Sequence, residues 1–324
     1  MARYFIGISQ EEFPPEELLR QAVAAQEAGF DGISSSDHLQ PWWEKGESGH
    51  TWPWLGAAGQ ATSVLPIGTG VTSTGARYHP ALIAQAWMTL ERLFPGRPFL
   101  GIGSGEALNE VPVGDDWPSV GDQIARMDEA LSIIDRLWKG ETITEQGRFY
   151  RCQDTKLHTL AERRPPIWVS AFGPKAAAVA AKWGDGIWTL PDPESTPELL
   201  EAWRSEGGQG EVVFQALFSW AADDHAAMES ARKWKGAQPQ EHFKDDWHEP
   251  RKLYAHGEEQ MTDDELRENA IIGSDLDHHV ERIRALEQLG ATVIVLQNNS
   301  GADPLGAIKA YGEHVLPALR GAPA

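Results

Sequence analysis

Apolar and polar positions alternate along this chain in two registers that succeed one another almost without interruption. Short apolar runs of strand length occur at Tyr4–Ile8, Gly32–Ser36, Ile67–Thr72, Pro98–Ile102, Pro166–Ser170, Gly186–Leu190, Val212–Trp220 and Thr292–Leu296. Between them lie segments with a helical apolar period: Pro15–Ala28, Pro80–Leu93, Gln123–Leu137, Pro174–Trp183, Pro197–Arg204 and Leu276–Leu289. Several carry Pro at the start and Gly just past the end, the asymmetry that punctuates helices. The phrases Ala28-Gly29-Phe30-Asp31-Gly32-Ile33 and Lys182-Trp183-Gly184-Asp185-Gly186-Ile187 each mark a helix end, a turn and a new strand.

Eight short buried strands separated by helices predict an α/β fold closed as a (β/α)8 TIM barrel. The open doubly wound sheet is the competing architecture, but Gly101-Ile102-Gly103-Ser104-Gly105-Glu106 has the wrong spacing for its dinucleotide fingerprint. Two stretches break the alternation. The segment 141–156 reads as a hairpin around Arg148-Phe149-Tyr150. The polar, partly helical segment 225–269 reads as an insertion over the C-terminal face of a single domain spanning 1–324. In a barrel such insertions roof the active site.

A barrel brings the residues after its strands to one mouth, and this chain places chemistry there. Glu11 and Glu12 follow the first strand, and Ser36-Asp37-His38-Leu39-Gln40-Pro41-Trp42-Trp43 contains the end of the second. Thr72-Ser73-Thr74 and Arg77-Tyr78-His79 follow the third, Gly103 to Glu110 the fourth, and Ala171-Phe172-Gly173-Pro174 the fifth. A base, acids, a stacking wall and a flat backbone surface therefore converge. Each has a plainer reading: Asp37 satisfying a structural His38, Glu106 capping the next helix, and Trp42 or Trp43 plugging the barrel top. The shared geometry favours catalysis over the plainer set.

The balance of 28 basic against 48 acidic residues gives a net charge of −20, which argues against nucleic-acid and anionic-membrane partners. No apolar run approaches the roughly 18 residues of a membrane span, and the first residues resemble no secretory leader. A lone Cys152 excludes an internal disulfide framework and fits a reducing cytoplasm. The eleven histidines show no helical ligand spacing, so no metal is expected.

The segments Ser36–Trp42, Gly70–Pro80, Phe99–Glu110 and Ala171–Gly186 resemble the luciferase-like flavin and deazaflavin barrel superfamily. Within it, Ser-Asp-His-x-Gln-Pro-Trp and Gly-x-Gly-x-Gly-Glu-Ala-Leu-Asn-Glu are similar to the coenzyme F420-dependent glucose-6-phosphate dehydrogenase group. The resemblance implies coenzyme F420 as cofactor and hydride transfer to or from a hydroxyl-bearing carbon. It implies His38 as the base that removes the hydroxyl proton and Trp42 as a wall stabilising the transition state. Glu106 would protonate or polarise the deazaflavin, and Glu11 would position groups at the mouth. It places the cofactor on Asp37, Ser73, Gly105, Asn109 and the Ala171-Phe172-Gly173-Pro174 loop, with a non-prolyl cis peptide at Gly70-Val71. Family members often form homodimers, and one is expected here.

One departure concerns the substrate. The group's sugar-phosphate enzymes hold phosphate with two lysines and an arginine. Aligned by their neighbours, those positions fall in the loop containing Asp192, on Glu241 beside His242, and on Asn269. Acidic side chains would repel a phosphate dianion. A non-phosphorylated alcohol or sugar is therefore expected, unless Arg251 or Lys252 restores phosphate binding. The alternatives are a sugar-6-phosphate dehydrogenase, a flavin mononucleotide-dependent luciferase-like monooxygenase, and a non-catalytic barrel.

Overall fold

The computed structural model describes residues 2–321. Eight strands run parallel: Arg3–Ile8, Gly32–Ser35, Ile67–Thr69, Pro98–Gly103, Ile167–Ser170, Gly186–Thr189, Glu211–Trp220 and Val293–Asn298. Each pairs with the next, and the eighth returns to pair with the first, Tyr4 beside Ile294. The sheet is therefore closed, and the predicted (β/α)8 barrel is the observed fold.

Strand alternation divides the apolar residues between two cores. Tyr4, Ile6 and Ile8 face the surrounding helices, whereas Phe5 joins Phe99, Trp168, Trp188, Val213, Val293 and Val295 in a separate cluster. Phe99 and Trp168 stack at 4.3 Å between ring centroids. Glycine makes room for these rings: a Cβ on Gly32 would lie 2.5 Å from Phe5. The barrel is plugged below its mouth.

Helices Pro15–Ala28, Pro80–Leu93 and Pro174–Trp183 have the predicted ends. The predicted third strand is interrupted: the Gly70-Val71 peptide is cis, and pairing resumes at Thr72–Ser73 against the fourth strand. The segment 141–156 contains an antiparallel hairpin, Ile143–Gln146 with Arg151–Thr155. The segment 225–269 is mostly helical, with Asp224–Arg232, Pro250–Gln260 and Asp263–Asn269 as its longer pieces. A strand not anticipated, Ile271–Gly273, follows it and pairs with the end of the seventh strand. Helices Thr51–Ala61 and Pro304–Ala310 were also not anticipated. Among the described residues no helix is long and apolar enough to cross a membrane.

Candidate active site

His38 sits in the turn after the second strand with its ring largely buried. Its Nε2 lies 3.5 Å from Glu106 Oε2 and 3.6 Å from Glu11 Oε1. These are ion-pair separations, longer than a hydrogen bond. On the opposite ring nitrogen, Nδ1 is 3.3 Å from the Gln40 carbonyl and 3.2 Å from Asn109 Nδ2. Asn109 accepts from the Leu39 N–H at 2.8 Å through its amide oxygen, which fixes its orientation, and its Nδ2 also donates to Glu106 at 3.3 Å. The side chain of Glu11 is buried and accepts a hydrogen bond from Ser36 Oγ. Burial raises the Glu106 carboxyl above the usual carboxylate range, an effect that His38 partly opposes. Four groups from three loops thus close around one imidazole.

The side chain of Asp37 belongs to a different network, which corrects the expectation that it could satisfy His38. Its carboxylate accepts from Thr72 Oγ1 at 2.7 Å, Tyr78 OH at 3.1 Å and Trp52 Nε1 at 3.2 Å. Arg77 Nη1 stands 3.6 Å from it, while Arg77 also pairs with Glu110 at 3.0 Å. Neighbours on extended backbone point in opposite directions, so consecutive residues rarely share a target. Asp37 is buried, and both of its carboxylate oxygens accept hydrogen bonds within this network.

Trp42 is buried between His38 and Phe243, with 5.5 Å between centroids in each case. It shares a cluster with Leu108, Trp234 and Leu253, against which Trp43, Ala237, Phe243 and Trp247 pack. The inserted segment therefore supplies the aromatic roof. Gln40 ties the loop to it through the His248 carbonyl at 3.3 Å.

The floor is glycine. A Cβ on Gly101 would lie 1.9 Å from the Thr69 carbonyl, and one on Gly103 would lie 2.9 Å from Val71 Cγ2. Gly105 has a φ of +89°, and a Cβ there would meet Ser73 Oγ. Ser73 Oγ itself accepts from the Gly75 N–H at 2.8 Å. Ala171 is buried, Phe172 is exposed, and the helix starting at Pro174 has no side-chain cap on Gly173. Such an N-terminus suits an anion.

The residues expected to contact substrate are dispersed. Asp192 is exposed, and its carboxylate accepts from Ser195 N–H at 2.7 Å and Glu194 N–H at 3.1 Å. These bonds hold its pKa low. Glu241 is half-buried and lies 3.9 Å from His256 Nε2, and Asn269 is exposed at a helix end. His242 is wholly buried, 2.8 Å from both the Gly236 carbonyl and His256 Nδ1. Both of its ring nitrogens are thus engaged within the roof. Among the described residues no hydrogen bond or ion pair joins these four to His38. Lys252 pairs with Glu249.

Sequence reasoning placed Arg77 and Glu110 at the mouth but missed their pairing, which carries the buried charge network, and it missed Phe243 and Trp234 of the roof. Their signal was tertiary: each matters through a partner more than thirty residues away.

The family model described as luciferase-like monooxygenase matches residues 2–293. The chain is 36% identical over 329 residues to an F420-dependent glucose-6-phosphate dehydrogenase of Microbacterium testaceum, covering 98% of this chain and 97% of the relative. It is 35% identical over 325 residues to an F420-dependent hydroxymycolic acid dehydrogenase of Mycobacterium tuberculosis, covering 97% and 88%. A solved F420-dependent secondary alcohol dehydrogenase, in complex with an F420-acetone adduct, superposes with a TM-score of 0.92 at 30% identity over 98% of this chain and 99% of that one. The chain belongs to the luciferase-like monooxygenase family.

Proposed function

We propose, from that membership, that this chain is a coenzyme F420-dependent dehydrogenase acting on a CH–OH group of a non-phosphorylated alcohol or sugar. The observation that carries the reading is His38 Nε2, held between Glu11 and Glu106 at the mouth of the barrel. The cofactor assignment agrees with relatives and a structural neighbour named for F420.

The residues present fit a flat tricyclic ring with an anionic tail. Gly101 and Gly103 let the fourth strand pack closely against Thr69 and Val71, which holds the cis peptide under the mouth with no side chain between, and the uncapped helix at Gly173-Pro174 can take a phosphate on its free N–H groups. Gly70, Val71, Ser73, Gly105, Asn109, Ala171 and Phe172 complete the proposed cradle. Asp37 would act there only by shaping the loop.

When bound, the deazaflavin supplies the hydride chemistry. The protein's part is proton handling and alignment. The base-competent tautomer of His38 carries its proton on Nδ1, donated to the Gln40 carbonyl, and leaves Nε2 free to take the hydroxyl proton. The alternative tautomer accepts from Asn109 at Nδ1 and is inactive as a base. Once protonated, the imidazolium lies 3.6 Å from the Glu11 carboxylate, and 3.5 Å from Glu106 when that group has given up its proton, which stabilises the charge it has gained. Glu106, its carboxyl raised by burial, is suited to hold a proton near the ring. Trp42 excludes water from the side of His38.

The non-phosphorylated substrate rests on the charges. The cations of the roof are largely spent: Lys233 on Glu12, Lys235 and Arg232 on Asp263, Lys252 on Glu249. Leu39, Phe172 and Leu190, which follow three barrel strands, are exposed and apolar. A single barrel domain over 1–324 with segment 225–269 as its roof, working as a cytoplasmic homodimer, belongs to the same proposal. Light scattering tests the dimer.

Titration with F420 and with flavin mononucleotide, read by tryptophan fluorescence, tests the cofactor. Bleaching of F420 absorbance by secondary alcohols, free sugars and glucose 6-phosphate tests the substrate. F420 binding with alcohol or free-sugar turnover is expected. Binding of flavin mononucleotide alone overturns the cofactor assignment, and efficient turnover of glucose 6-phosphate overturns the substrate class.

A further inference from the structure

Glu12 follows Glu11 on the loop after the first strand, yet it faces a different part of the molecule. Its side chain is 3% exposed. Oε2 accepts from the indole Nε1–H of Trp234 at 3.1 Å, and Oε1 lies 3.6 Å from Lys233 Nζ. At that distance Oε1 is buried without a hydrogen-bond partner. Gly301 leaves the space for the pair: a Cβ there would lie 2.3 Å from Glu12 Oε1 and 3.0 Å from Lys233 Nζ. Lys233 and Trp234 are adjacent in the inserted segment, so one carboxylate holds two consecutive residues of the roof.

Trp234 passes that constraint toward the reacting centre. It meets Trp43 edge to face at 5.2 Å and shares the cluster of Trp42 and Leu108, and Trp42 packs on His38. We propose that Glu12 is a positioning residue that latches the inserted segment to the barrel mouth through Trp234 and Lys233, and so sets the aromatic roof over His38. The proposal rests on the dehydrogenase reading only for its kinetic consequence.

The latch has a charge dependence. The charged groups facing Glu12 are Lys233 from the roof and Glu11 on its own loop; burial pushes its carboxyl up to about 7, against the pull of Lys233. Below that value the neutral carboxyl loses its attraction to Lys233, and above it the carboxylate pairs with the ammonium and accepts more strongly from the indole. Asn299, with its amide nitrogen donating to the Gln297 carbonyl, offers the same indole N–H an acceptor at 3.1 Å. The roof therefore tightens as pH rises through neutrality and loosens on to Asn299 as it falls.

Limited tryptic digestion of the full chain reads the latch without cofactor or substrate. Arg251 and Lys252 are exposed in the roof, and the rate of cutting there, normalised to the urea-denatured chain, reports its opening. Cutting of the wild type is expected to be about fivefold faster near pH 6 than near pH 8, the factor one modest polar interaction is worth. Glu12→Gln keeps an acceptor for the indole but no charge, and is expected to be cut at the faster rate at both pH values. Lys233→Met, which leaves Glu12 in place, is expected to lose the same pH dependence and covers the case in which a Glu12 variant fails to fold. In turnover assays Glu12→Gln should raise KM more than it lowers kcat. Equal cutting rates for the wild type, Glu12→Gln and Lys233→Met at both pH values would overturn the proposal. Failure of F420 to bind would overturn the functional reading and leave the digestion result standing.

Discussion

Glu106 Oε2 stands 3.5 Å from His38 Nε2, at the nitrogen that Asn109 leaves untouched. A base so placed should be needed for the chemical step and dispensable for holding the cofactor. His38→Ala is expected to lower turnover by about 10²–10⁴-fold, the usual share of general base catalysis. Its F420 affinity, read by fluorescence titration, should stay unchanged. Unaltered turnover would remove His38 from the mechanism.

The glycine floor gives a second expectation. In Gly103→Ala the new methyl lies 2.9 Å from Val71 Cγ2 and 3.2 Å from Ser170 Cβ, so the floor must rise. Overpacking of this kind costs about 1–3 kcal/mol. F420 binding should weaken by about tenfold or more, while the variant stays folded by circular dichroism. Wild-type affinity would place the ring elsewhere.

Arg77 is the sole cation within ion-pair distance of both Asp37 and Glu110 among the described residues, and all three side chains are nearly inaccessible. Arg77→Met leaves two buried carboxylates uncompensated, and removing one partner of a buried pair costs about 3–5 kcal/mol. Urea unfolding should show a loss of that order. A midpoint equal to the wild type would mean that the network is inessential to the fold.

His279 is wholly buried, 2.7 Å from Tyr311 OH and 3.1 Å from the Gly273 carbonyl, and burial lowers its pKa to about 4. The unfolded chain takes up this proton from about pH 6.5 downward while the folded chain does not. Stability contributed by neutral His279 is therefore present above pH 6.5 and falls away between about 6.5 and 4, by about 3 kcal/mol in all. Urea midpoints across that range should fall less steeply for His279→Gln than for the wild type. Parallel curves would assign the acid loss to other groups.

The barrel was legible because its signals are local. Helices Pro15–Ala28, Pro80–Leu93 and Pro174–Trp183 each begin at a proline, and all eight strands are apolar runs between turn residues. Thr51–Ala61 was missed because Trp, Pro and Gly interrupt its period. Ile271–Gly273 has three residues, too few for any pattern. The mouth residues could be named because closure of a barrel sends every strand end to one rim. Their partners could not. Asp37 precedes His38 by one residue and faces Thr72, Tyr78 and Trp52, while Glu12 follows Glu11 and faces Lys233 and Trp234.

The order of apolar and polar positions, by itself, determined a closed barrel and put His38, Trp42, Glu106 and Glu11 at its mouth, because hydrophobic periodicity and helix punctuation act over a few residues. The tertiary structure alone decided which carboxylates meet His38, that both ring nitrogens of His242 are engaged within the roof, and that residues near position 234 roof a site begun near position 11. Those pairings depend on side-chain direction and on packing between segments more than two hundred residues apart, and no local pattern encodes either.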